Sequence, residues 1–214
     1  MSDPHRITSV EQLREIYREP HPLVVAKERP EMDDATQRFI ARARFFSLGT
    51  YRSDGSADVS PRGGETGFVR VLDSTHLAIA DLGGNNRIDS LRNIVDTGHV
   101  GLLFIAPGQS ETVRVNGEAW VTTDPDLLDA FTLPRRPVSA IVVRVTATFI
   151  HCAKAFRRSG MWDPNVWEEM ANGPDAADIL VCQAILPDTV TADAVRADLE
   201  HGYDQALAWE SGRD

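Results

Sequence analysis

The chain has little cysteine, no long apolar run and a shortage of basic charge. Cys152 and Cys182 are the only cysteines among 214 residues. They are too few for a disulfide framework and too far apart for a spaced metal motif, so two buried thiols are expected. No window approaches the ~20 consecutive apolar residues that a bilayer-spanning helix needs. The opening MSDPHRITSVEQL has no basic segment followed by an apolar one, and the expectation is a soluble, cytoplasmic protein with no membrane partner. Lysine and arginine total 22 against 32 acidic residues, a formal charge of -10. Such a surface repels a polyanionic backbone, so nucleic acid is not an expected partner. Three motifs are also missing: G-x-G-x-x-G, G-x-x-x-x-G-K-[ST] and H-E-x-x-H. A nicotinamide Rossmann domain, a P-loop and a helical zinc site go with them. His76, His99 and His151 read as core or edge residues, no metal is expected, and no general acid or nucleophile stands out.

What remains is the composition of an ordinary globular protein, 42% hydrophobic and 25% charged, long enough for one principal domain with an appendage. A helix is predicted over VEQLREIY after a Ser9 cap. A second is predicted within PEMDDATQRFIARARFF, capped by Asp33 or Asp34, with Pro20, Pro22 and Pro30 marking a linker between them. From Phe45 the period turns towards two. FFSLGTY, SADVSP, GFVRVL, HLAIAD, VGLLFI, ETVRVNGEAWVTT and VSAIVVRVTATFI read as seven strands, which favours an antiparallel barrel or sandwich. Two helices interrupt them. IDSLRNIVDTG places Ile88, Leu91, Ile94 and Val95 on an apolar side with Gly98 as its stop, and DPDLLDAF is shorter. After Ile150, CAKAFRRS, PNVWEEMA and VTADAVRADLEHGYDQALAWE read as helices separated by GMWDP and ILPD, an appendage with an acidic exposed side.

The chemistry concentrates between Ala57 and Trp120. Arg62 follows Ser60 and Pro61 at a strand end, where Gly63 and Gly64 permit a close turn. It either faces an anionic ligand or is a solvated arginine in a tight turn. LGGNNR brings Arg87 beside Asn85 and Asn86, with Ser90 and Arg92 opening the next helix. Backbone donors at a helix start and a guanidinium can together cradle a terminal phosphate. Asn85, Asn86 and Ser90 can equally serve as turn formers and caps, and Arg92 can balance Asp96. Arg114, Asn116 and Glu118 share one strand face, fit either for a hydrogen-bonding ring or for solvent. Trp120 reads as a core or interface residue. Lys154 and Arg158 share a helix face near Trp162, where they either answer acidic groups or close over a ligand that Trp162 covers.

In SPRGG at 60–64, LAIADLGGNNRIDSLRNI at 77–94, VRVNGEA at 113–119 and HCAKAFRRSGMW at 151–162, the chain resembles the flavin-binding split β-barrel family typified by pyridoxamine 5′-phosphate oxidase. The resemblance implies a mainly β fold with α additions: a split antiparallel barrel over 31–152, an N-terminal helical extension and linker over 1–30, and a C-terminal helical segment over 153–214. It implies a homodimer holding FMN at the subunit interface, and an oxidoreductase passing electrons between a small donor such as nicotinamide and an organic acceptor or oxygen. By this resemblance Arg62 and Arg87 meet the FMN phosphate, Asn86 and Ser90 support the loop, and Arg114 lies near the cofactor or dimer contact. Lys154, Arg158 and Trp162 approach the open side of the ring. The arginine-rich substrate-phosphate ending of the named oxidase has no counterpart in the acidic carboxyl end, which argues against pyridoxamine phosphate as substrate. A non-enzymatic FMN carrier or sensor, and a barrel binding haem or a deazaflavin, are the alternatives.

Overall fold

In the computed structural model, which describes residues 3–184, 187 and 189–212, seven antiparallel strands form one curled sheet. They are β1 (Phe45–Tyr51), β2 (Ala57–Gly63), β3 (Val69–Val71), β4 (His76–Asp81), β5 (His99–Phe104), β6 (Thr112–Thr122) and β7 (Ser139–His151). Their order is β2-β1-β5-β6-β7-β4-β3. The sheet curls into a half-barrel because its inner face is apolar along every strand but β2. Phe46, Leu48, Leu102, Phe104, Val113, Val115, Ile141 and Val143 point into one cluster, with Phe46 stacked on Phe68 at 5.8 Å. The fold is mainly β with helical additions, as the sequence implies.

The seven strands fall on the seven segments predicted. β4 reads as a nearly continuous apolar run because it is covered on both faces. Leu77 and Ile79 join the inner cluster, while Ala78, with Ala140 and Val142 of β7, packs under Leu128 and Phe131. Those two residues come from α5 (Pro125–Asp129) and the turn after it.

Helix ends follow their caps. Ser9 and Gln12 form a capping box at the start of α1 (Val10–Ile16), and Asp33 caps α3 (Asp34–Arg42). Gly98, at φ 69°, ends α4 (Asp89–Thr97) in the left-handed conformation. Four expectations need correction. The proline-marked linker contains a helix, α2 (Pro22–Ala26), which uses Pro22 in its first turn and His21 as its cap. A helix unforeseen from sequence, α8 (Ala176–Gln183), starts from a second capping box, Asp175 with Asp178. Cys152 and Cys182 are exposed thiols, since Cys152 directly follows the end of β7 and Cys182 lies on α8, both away from the barrel core. On α4, Ile94 is buried but Ile88 and Val95 face solvent, Val95 at 73%. Ile88 is the residue before the helix, and the buried stripe runs through Ser90, Asn93 and Ile94 instead. The appendage continues through α6 (Lys154–Ser159), α7 (Pro164–Met170) and α9 (Ala192–Glu210). The ILPD separator, apart from Pro187, lies outside the described residues.

Two features carry measurable consequences. The β6–β7 register shifts at Asn116/Gly117, and a Cβ on Gly117 would collide with the Arg144 carbonyl oxygen and meet Val143 Cγ1 at 2.8 Å. Gly117→Ala should therefore cost roughly 1–3 kcal/mol, lowering the melting temperature by about 2–10 °C in a chain of this size; an unchanged thermal melt would contradict the packing described. In the appendage, Arg196 of α9 bonds the Asp175 carboxylate and, with backbone amides, lowers its pKa from 3.8 to about 2. A depressed carboxylate contributes stability above its unfolded pKa and loses it as pH falls through the folded one. Asp175→Asn keeps a capping oxygen but loses the charge. Its deficit in thermal stability should be present at neutral pH and shrink between pH 3.8 and about 2, and a pH-independent deficit would refute the assignment.

Candidate functional site

The inner face of β2 carries Asp58, Ser60 and Arg62 at alternate positions, opposite Thr50, Leu48 and Phe46 of β1. The curl of the sheet brings the end of this edge strand to the end of β4, where Arg62 Nη1 stands 3.5 Å from Asp81 Oδ1. Between β4 and α4 runs the loop Leu82–Ile88. Its turn depends on Asn86, a non-glycine residue at φ 60°, a conformation asparagine tolerates better than most. The Asn85 side chain accepts a hydrogen bond from the Arg87 amide at 3.0 Å.

These pieces line two adjoining clefts. One, of about 280 Å³, is bounded by Arg62, Asp81, Asn86, Arg87 and Leu91, among others. The other, of about 400 Å³, is bounded by Asp58, Ser60, Arg62, Arg87 and Ser90. The start of α4 opens onto them without a side-chain cap, so its first amide donors and the positive end of its dipole face the clefts. Ser90, expected to serve as a turn or cap residue if it met no ligand, does neither. It is buried, 3.0 Å from Ser60 Oγ and donating to Asp58 at 3.2 Å.

The electrostatics are mixed. The Arg62 side chain is 27% exposed, and its Nε is buried without a hydrogen-bond partner among the described residues. A buried guanidinium nitrogen left unpaired is costly, which makes an acceptor in this cleft favourable. Arg87, 76% exposed, lies against Asp89. That carboxylate holds the guanidinium above its usual range, and the guanidinium holds Asp89 below the usual carboxylate range. Asp58, Asp81 and Asp89 thus share the clefts with two arginines.

The four residues Arg62, Asn86, Arg87 and Ser90 are brought together, distributed over the two clefts. The other candidates are placed elsewhere in the chain. Arg114 lies on the outer sheet face with its guanidinium 5.2 Å from the Phe149 ring. Lys154 and Arg158 are exposed on α6. Trp162 stacks near Phe156 at 5.8 Å and donates to the Gln109 carbonyl at 2.8 Å. None of these four lines either cleft. Sequence reasoning passed over Asp58, Asp81, Thr50 and Asn93, although the alternation of Asp58, Ser60 and Arg62 was a usable signal. Among the described residues no cluster of three or more histidine, cysteine or acidic side chains is arranged to hold a metal ion, and no helix is long and apolar enough to cross a membrane.

Solved structures with related shape include a putative pyridoxamine 5′-phosphate oxidase from Lactobacillus delbrueckii, 20% identical, covering 56% of this chain and 95% of that one at a TM-score of 0.45. A pyridoxamine 5′-phosphate oxidase-related, FMN-binding protein from Nostoc punctiforme is 14% identical, with coverage of 53% and 76% and a TM-score of 0.36. An F420 reductase is 22% identical, with coverage of 55% and 98% and a TM-score of 0.41. No curated protein matches the sequence. The sequence profile of the family described as pyridoxamine 5′-phosphate oxidase matches residues 32–152, more than half of the chain. The chain belongs to the pyridoxamine 5′-phosphate oxidase family.

Proposed function

We propose that the chain is an FMN-dependent oxidoreductase that grips the FMN phosphate at the junction of β2, the Leu82–Ile88 loop and the start of α4. The observation that carries this reading is the orphaned, buried Nε of Arg62 beside an uncapped helix start, a donor set that fits a phosphate dianion. Arg62 supplies the principal charge. Arg87, already engaged by Asp89 and mostly exposed, adds a weaker contribution. Asn86 fixes the turn, and Ser60 and Ser90 offer hydroxyls from a preformed hydrogen-bonded set. When bound, FMN accepts and releases a pair of electrons, so a small donor such as nicotinamide and an organic acceptor or oxygen complete the reaction. The chain's own residues bind and orient the cofactor and exclude water from it. Pyridoxamine phosphate is not the substrate favoured by this chain.

The same reading makes the protein a homodimer. On the outer sheet face Gly49 pairs with Val59 and Gly101, and Gly101 with Asn116. This low central row is flanked by Tyr51 and Leu103, with Val59 71% exposed. Small residues allow another sheet face to approach closely, and the apolar flanks reward burial. In a dimer, Arg114 on that face, with Lys154, Arg158 and Trp162 beyond it, becomes available to the cofactor of the partner subunit.

FMN and riboflavin titrations followed by flavin fluorescence test the phosphate grip. Arg62→Ala should weaken FMN by roughly tenfold to a hundredfold, the equivalent of one charged hydrogen bond at about 1.5–3 kcal/mol, while riboflavin binding changes little. Arg87→Ala should cost less, and Asp81→Asn should tighten FMN by removing a carboxylate from Arg62. Equal effects on FMN and riboflavin, or none, would displace the phosphate from this cleft. Binding without turnover by any reductant and acceptor would favour a carrier or sensor. Light scattering of the wild type should give a dimer, and Leu103→Asp a folded monomer; a monomeric wild type with cofactor bound would end the interface proposal.

A further inference from the structure

A cavity of about 440 Å³ lies beside the phosphate clefts, walled by Phe68, Leu82, Leu133, Pro134 and, from the last turns of α9, Leu207. Its volume is in the range of small-molecule pockets, and its walls are mostly apolar. A narrower space of about 90 Å³, lined by Phe68, Leu82 and Glu210, reaches from this cavity to Arg62 and Asp81. The α9 end is anchored at this position. The Arg135 guanidinium lies 5.2 Å from the Trp209 ring, and its Nε donates to the Trp209 carbonyl at 2.8 Å. The charged groups on the cavity lining are Arg44, Glu65 and Glu210, two carboxylates against one guanidinium.

We infer that this cavity, closed on one side by the C-terminal helix, is a binding pocket for a compact, uncharged, apolar molecule. As an account of the substrate side it rests on the flavin reading above, because the pocket matters to catalysis only if the neighbouring cleft holds the cofactor. Three observations set the occupant's chemistry. The apolar walls reward a molecule without charge. The excess of carboxylates on the lining repels an anion entering the cavity. The narrow connection to Arg62 leads towards the reacting cofactor without leaving room for the bulk of the ligand. The family's phosphate-bearing namesake substrate fits none of these. The last turns of α9 therefore determine specificity: Leu207 by shape and Glu210 by charge.

A matched pair of fluorescent dyes tests this on the full chain: N-phenyl-1-naphthylamine, which is neutral, and 8-anilinonaphthalene-1-sulfonate, the same ring system bearing one negative charge. The neutral dye should bind the wild type at one site per chain, and the sulfonate at least about tenfold more weakly. Leu207→Trp, which extends a ring over the cavity from an exposed position on its rim, should weaken the neutral dye by about tenfold or more while FMN affinity stays as in the wild type. Glu210→Gln should narrow the gap between the two dyes. Equal binding of both dyes, or an unaltered neutral-dye affinity in Leu207→Trp, overturns the inference. So does a loss of FMN matching the loss of dye in that variant, since the cavity would then belong to the cofactor. Failure of the wild type to bind FMN while the dye results hold would sink the flavin reading alone.

Discussion

Thr50, Asp58, Ser60, Ser90 and Asn93 form a hydrogen-bonded chain that holds α4 against the first two strands. Asn93 donates to Thr50 at 2.9 Å, Thr50 to Asp58 at 3.2 Å and Ser90 to the same carboxylate oxygen at 3.2 Å. Each link is wholly or partly removed from water. Deleting any one member strands its neighbour, at a cost of about 1–3 kcal/mol. An apolar α4 would pack on β1 and β2 just as well in hydrophobic terms. It would not be held at one rotation, because dispersion contacts are non-directional whereas shared hydrogen bonds fix both distance and angle. The rotation matters because the uncapped start of α4 and the Leu82–Ile88 loop take their positions from it. The cleft is thus built from the inside, by side chains of which only Ser60 and Ser90 face a ligand in the proposed arrangement.

Much of the fold was legible because the sheet is amphipathic in the ordinary way. Phe46, Leu48 and Thr50 alternate with Phe45, Ser47, Gly49 and Tyr51, and the strand follows from that alternation. Cap residues place Gly98 at the end of α4 and leave Asp33 or Asp34 for the start of α3, where Asp33 is the cap. Apolarity is a poor guide to burial on α4, where Ile88 and Val95 are exposed. Ser90 and Asn93 occupy the inward stripe because they satisfy one another and Asp58, and a pattern of apolar residues cannot register a polar group that is buried because it is paired. The pattern also misses α2 and α8. Five or eight residues with a cap are too short to show a period, and the cap is the principal signal.

For the candidate site, sequence identified the arginines but not their counterweights. Arg62 and Arg87 are conspicuous beside glycines, whereas Asp58, Asp81 and Asp89 come from three separate elements and meet only in the folded chain. Their presence changes the physics of anion binding. A cleft lined by arginines alone would hold any phosphate, at the cost of mutual repulsion in its absence. Here the carboxylates neutralise the arginines in the free protein, and an incoming dianion must compete with them for the guanidinium donors. Such a site gives up affinity in return for discrimination, because only a ligand with enough additional contacts beyond its phosphate overcomes the competition. The chain's net charge of -10 acts in the same direction at long range, slowing the approach of small anions that have nothing else to offer.

The C-terminal helix fits the same logic of added contacts. Its α8–α9 base is held together by the Arg196 pairs with Asp175 and Asp178, exposed ion pairs of small individual worth. Its far end is held to the barrel through Arg135 and Trp209. An element fastened at its two ends by polar contacts, with few apolar residues buried along it, belongs to the low-stability end of a structure, where opening costs least. The barrel core does not depend on it, since the inner cluster is complete without any residue of α9. The length and side chains of this helix, and with them the shape and charge of the cavity it closes, can therefore change without disturbing the strands that position the candidate cleft. On the proposed reading the part that binds the cofactor is thereby separate from the part that selects the substrate, and Leu207 and Glu210 lie on the side of that division that is free to change.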